Sequence, residues 1–197
     1  ALPRVNNPTY VLDLPSTGEK IKYRPFLVKE QKVLMMAQDT KKDAELAETM
    51  GRLVSSCTYG KLNPDTAPMF DMEYVFLKIR SKSVGSKVDL MITCPDDEIT
   101  QVKTIVDLDD IQVQMLDDHS NEINITEEVK IEFRYPILND MLDLKDDAND
   151  VERVFHILSK CILSIHFGDD VYQKADISEK ELDNFVDELT GEQFEKL

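Results

Sequence analysis

Tryptophan is absent from this chain, aromatic residues make up only 7% of it, and its six glycines are scattered over 197 residues. Without an aromatic platform there is nothing to hold a sugar ring between paired carboxylates, which argues against a glycosidase. The isolated glycines form neither GxGxxG nor GxxxxGK, so no phosphate-cradling loop is present, and HExxH and EF-hand spacings are missing as well. GxSxG is also absent. The three cysteines, Cys57, Cys94 and Cys161, are odd in number and far apart. They imply no disulfide framework and suit a reducing compartment. No apolar run approaches the ~20 residues needed to cross a bilayer; Val33 to Ala37 spans five. The opening ALPRVNNP lacks the basic and apolar regions of a signal peptide, so cytoplasmic synthesis is expected.

Positive charge is also scarce. Against 39 acidic side chains there are 23 basic ones, for a net charge of −16. Such a field repels phosphate backbones and disfavours direct nucleic-acid binding, while favouring solubility and basic protein partners. The apolar fraction of 42% is ordinary for a folded protein,.

What is present is a clear series of periodic segments. Tyr10–Leu14 and Lys20–Tyr23 alternate around Ser16-Thr17-Gly18 and predict a β-hairpin. Helices are predicted over Phe26–Gln38, Asp43–Cys57 and Phe70–Ser83 from apolar positions at helical spacing. After Gly85 the period changes to two. Lys87–Thr93 and Gln101–Asp107 predict a hairpin around Cys94-Pro95-Asp96-Asp97-Glu98, and Ile111–Leu116, Ile123–Ile125 and Val129–Tyr135 extend it into a five-stranded meander. Asp150–His166 reads as one long helix. Ser178-Glu179-Lys180-Glu181 is a capping box opening a last helix that Gly191 ends. The segment Glu192–Leu197 is expected to dock or fray. The expected fold is α+β: a helical bundle with an N-terminal β-hairpin (1–85 and 136–197) and an inserted antiparallel β lobe (86–135). No internal repeat is visible.

A search for chemistry finds little. His156 and His166 share the predicted helix but lie about 15 Å apart along its axis, too far to ligate one metal. The carboxylate pairs, such as Asp109-Asp110 and Asp169-Asp170, read as solvated turns. Cys94-Pro95 resembles half a zinc knuckle, but the position that a second cysteine would take is Asp97, so neither metal nor cofactor is expected. One basic cluster stands out: Lys78, Arg80, Lys82 and Lys87 flank Ser81, Ser83 and Gly85. It reads either as a contact patch for an acidic neighbour or as cations placed at the negative end of a helix dipole.

The motifs LPR, then PSTG followed four residues on by YRPFLVKEQKVLMMA, then FDMEYVFLKIRSKSVG running into a strand that ends in Cys-Pro, resemble the baseplate hub subunit family of T4-like contractile-tailed bacteriophages. The resemblance implies a non-enzymatic virion protein of the tail baseplate, binding hub, wedge or tape-measure proteins, in several copies around a symmetric ring. The alternative is a hub-assembly chaperone absent from the mature particle. The family match and polar composition of residues 24–32 and 80–85, together with the basic cluster, single out Arg24, Lys29, Lys32, Lys78, Arg80, Lys82, Ser83 and Lys87 as candidate partner contacts.

Overall fold

The computed structural model describes residues 5–40, 42–144 and 148–197. The chain is α+β and divides into two compact units, residues 1–114 and 115–197.

The first unit opens with β1 (Tyr10–Asp13) and β2 (Lys20–Tyr23), antiparallel with Leu12 opposite Ile21. Their loop closes where the Gly18 N–H donates to Leu14 O at 2.7 Å, with Gly18 at φ +70°, a conformation glycine adopts without a Cβ clash,. Alternation sends Ile21 and Tyr23 to one face. There they are buried with Leu14 against α2 (Asp43–Cys57) and α3 (Met69–Val84). Leu53, Val54, Cys57, Met72, Val75 and Ile79 complete this core. The buried Asp71 carboxylate accepts from the Ser16 N–H at 3.0 Å and from its hydroxyl, tying the hairpin loop to the start of α3. α1 (Val28–Asp39) packs on α2. α3 stops at Gly85, φ +104°, and β3 (Lys87–Thr93) and β4 (Gln101–Asp107) follow, in register from Lys87↔Asp107 to Thr93↔Gln101.

The second unit is built on a four-stranded antiparallel sheet, β5 (Glu122–Asn124), β6 (Val129–Phe133), β7 (Ile162–Phe167) and β8 (Asp170–Gln173), ordered as in sequence. α4 (Leu138–Leu142) and α5 (Asp150–Cys161) connect β6 to β7. α6 (Glu179–Asp187) covers the sheet through Leu182 and Val186, which pack with Ile125, Ile131, Ile162 and Ile165. Its predicted capping box forms: Ser178 Oγ accepts from the Glu181 N–H at 3.3 Å, and Glu181 Oε2 from the Ser178 N–H at 2.9 Å.

Several expectations are corrected. The continuous meander does not form. Among the described residues β3 and β4 pair only with each other, 111–116 is not a strand, and β5–β6 pair with β7–β8 beyond the expected lobe boundary. The two compact units run 1–114 and 115–197. The helix expected over Asp150–His166 ends at Cys161, because Ile162, Ser164 and Ile165 find partners on β6. Apolar spacing there fits either period, and an available strand edge decides it in favour of β-branched residues. His166 thus lies on a strand, with its Nε2 2.9 Å from Ser164 Oγ. Gly191 does not end the last predicted helix, which stops at Asp187. It begins a short α7 (Gly191–Phe194), capped by Thr190. The terminal segment docks on its own unit: Phe194 stacks on Phe155 at 4.9 Å, and the Lys196 ammonium donates to Ile125 O at 2.9 Å.

Candidate functional site

Arg24 leaves β2 at the point where hairpin, α1 and α2 converge. Its backbone N–H donates to Cys57 O, the last carbonyl of α2, at 3.0 Å. Its guanidinium grips Glu30 with both ends, Nη1 to Oε2 at 2.9 Å and Nη2 to Oε1 at 2.7 Å, and Nη1 also donates to Pro25 O at 2.9 Å. Glu30 Oε2 accepts from the Leu27 N–H at 2.6 Å, satisfying a free donor at the start of α1,. Glu30 Oε1 accepts from Ser56 Oγ at 2.8 Å. Burial alone would raise the Glu30 carboxyl; the hydrogen bonds from Arg24, Leu27 and Ser56 outweigh it and pull it down to about 2,.

The second unit repeats the device. The Arg134 N–H donates to Cys161 O at 2.8 Å, the last residue of α5. Nη1 and Nη2 reach Asp140 Oδ2 and Oδ1 at 2.6 and 2.8 Å, Nη1 donates to Tyr135 O at 3.0 Å, and Asp140 Oδ2 accepts from the Ile137 N–H at 2.9 Å. Lys20-Ile21-Lys22-Tyr23-Arg24 with Leu27 and Glu30 matches Lys130-Ile131-Glu132-Phe133-Arg134 with Ile137 and Asp140. Ile21 and Ile131 are both buried, as are the two cysteines. The chain therefore contains a structural repeat that the sequence reading missed. The signal was there: Lys-Ile-x-aromatic-Arg, an aliphatic three residues on, and an acid three further.

The candidate contact residues fall in different environments. Arg24 is spent inside the clamp. Lys78 is buried, its ammonium donating to Leu108 O, Asp109 O and Ile111 O at 2.9 Å each. Burial lowers its pKa, while nearby Asp109 acts to hold it up. Ser83 Oγ donates to Ile79 O at 2.6 Å and accepts from the Phe26 N–H at 3.0 Å, linking α3 to the chain entering α1. Lys82 pairs with Asp109 at 2.9 Å, and Arg80 Nη1 donates to Gly85 O at 3.4 Å. Lys87 is exposed at the start of β3.

Lys29 and Lys32 are exposed on α1. At 100° per residue they share an arc with Val28, Val33, Met35 and Met36, opposite Glu30, Leu34 and Ala37. These apolar side chains stay 67, 55, 57 and 69% exposed. Between α1 and α2 runs a groove of about 300 Å³ lined by Lys29, Glu30, Val33, Thr49, Arg52, Leu53 and Ser56.

The cysteines give a direct check of this packing. Burial pushes the Cys57 thiol up to about 11 and also raises that of Cys161, whereas Cys94 is half-buried at the β3–β4 turn. A thiol reagent at pH 8 should label one thiol quickly, Cys94, and the other two only on unfolding. Cys94→Ser should abolish the fast phase; fast labelling of a second thiol would contradict the burial.

A family model described as T4 bacteriophage base plate protein matches residues 7–197. No curated protein and no solved structure matches the chain.

Proposed function

The chain belongs to the T4 bacteriophage base plate protein family, which gives it a structural role in a phage tail baseplate, and from that premise we propose that it acts by binding alone, in the central hub region, joining neighbouring hub, wedge or tape-measure proteins.

The observation that carries this reading is the β3–β4 hairpin. Its register sets Val88 against Val106 and Ile92 against Val102, with Leu90 between them, so one face is apolar. Leu90, Ile92 and Val102 are nonetheless exposed. Among the described residues each of its two strands pairs only with the other, which leaves an open edge on either side. A two-stranded hairpin is marginal in water until something covers its apolar face or extends its ladder. An open edge is also a template for a strand from another protein, where main-chain hydrogen bonds supply affinity and alternate side chains supply specificity. Lys87 at the start of β3 sits beside that edge.

Quantitative mass spectrometry of purified infectious particles tests the reading. The expected result is a fixed ratio of this chain to other tail proteins. Its presence in assembly intermediates but not in finished particles would overturn a permanent hub role and make it an assembly chaperone.

A further inference from the structure

We propose that the α1–α2 groove is the docking site for an acidic amphipathic helix of a neighbouring baseplate protein. This deepens the binding reading above and rests on it.

The occupant follows from what the groove offers. Backbone groups within α1 and α2 are spent on their own helical ladders, so no edge is available to a strand and only side chains remain to be packed. Val33 and Leu53 form the apolar floor, and the exposed Met36 lies next to Val33 on the adjoining arc of α1,. Twelve residues make α1 about 18 Å long, enough to seat about three turns of a partner helix,. A helix presenting apolar residues at i, i+3, i+4 and i+7 fits such a surface, and adaptable methionines suit it.

Charge sets the sign of the partner. In a chain of net charge −16, Lys29 and Arg52 line the groove, Lys32 is exposed on the adjoining arc of α1, and Glu30, the carboxylate in the lining, is already held by Arg24. Arg52 has a carboxylate partner, Glu48, one turn away on the same helix. Among the described residues no ion pair is formed by Lys29 or Lys32. Acidic side chains flanking an apolar stripe would complete them, and would speed encounter as well as fix orientation. A second copy of this strongly acidic chain is disfavoured by repulsion between the two molecules.

The internal repeat shows that the fold does not need these groups. In the second unit the same clamp forms with Asn139 where Lys29 stands and Leu142 where Lys32 stands, and α4 ends at that residue. Arginine, acid, aliphatic cap and terminal cysteine recur in both units, whereas the cations and the long exposed arc belong to the first alone.

The test is carbodiimide cross-linking of purified baseplate assembly intermediates, which joins lysine amines to carboxylates in contact, followed by peptide mass spectrometry. Cross-links from Lys29 and Lys32 to aspartates or glutamates spaced three or four apart in another protein would support the proposal. Cross-links to a second copy would overturn it in favour of self-association. Cross-links from other lysines but none from these two would overturn it outright, and absence of the chain from every intermediate would remove the baseplate-binding reading with it. In parallel, K29E/K32E should melt like the native chain, since both side chains are exposed. It should also enter intermediates at least tenfold less well. Normal incorporation of that variant would refute the docking site.

Discussion

Replacing Arg24 with alanine should destabilise the first unit by about 3–5 kcal/mol, the cost of leaving a buried carboxylate without its cation. The side chains of Arg24 and Glu30 are only 12 and 11% exposed, so water cannot take over for the guanidinium. The loss is larger than that of a surface ion pair because one side chain serves three elements: it holds Glu30 on α1, reaches Ser56 on α2, and extends from the end of β2. Hydrogen exchange should show protection falling across β2, α1 and α2 while β6 and α5, held by Arg134 and Asp140, stay protected. Arg24→Lys should recover part of the loss, since a lysine supplies charge without the two-pronged geometry. A native-like melt for Arg24→Ala would show that the clamp is dispensable. The same pair makes stability depend on pH. Glu30 is held near 2 in the fold against an ordinary value of 4.5. A carboxyl depressed by folding contributes its full stabilisation above the ordinary value, and that contribution is lost as pH falls from about 4.5 toward 2. Chemical denaturation across this window should show the slope in the native chain and a smaller one in Glu30→Gln.

Lys78→Met should cost about 2–4 kcal/mol and loosen the segment after β4. One ammonium satisfies the carbonyls of Leu108, Asp109 and Ile111, and Leu108 is itself buried. Methionine keeps most of the stem's packing and removes all three donors, so the measured loss reports unsatisfied carbonyls and not a cavity. The nitrogen also lies 5.0 Å from the centre of the Tyr74 ring, an attraction lost in the same substitution,. Exchange should accelerate over 108–114, and the melting temperature should fall. If the variant melts with the native chain, the carbonyls are being met by water and Lys78 is not the anchor of this turn.

Both residues are contact candidates by sequence because they are cationic and sit in recognisable motifs. Neither motif nor charge tells which way a side chain points. Arg24 is pulled inward by an acid six residues on and by the end of a helix 33 residues on, and Lys78 by carbonyls 30 to 33 residues away. Lys29 and Lys32 escape that fate because the inner arc of α1 is already taken by Glu30, Leu34 and Ala37. The missed repeat has a similar cause. Its two copies share a short stretch around Arg24 and Arg134 and then diverge in helix length, so overall periodicity hides what a shared hydrogen-bond pattern makes plain.

The sequence by itself determined the local elements: the hairpin before Arg24, three helices in order, the helix-to-strand change at Gly85, the β3–β4 turn and the Ser178 cap. Each is written in a few neighbouring residues whose spacing or capping chemistry acts over one or two turns of chain. Tertiary structure alone decided that residues 162–167 become a strand, since that requires β6 as a partner. It also decided which strands share a sheet and which cations face inward. These outcomes depend on groups brought together from distant parts of the chain, and for them burial and hydrogen-bond satisfaction outweigh the local pattern.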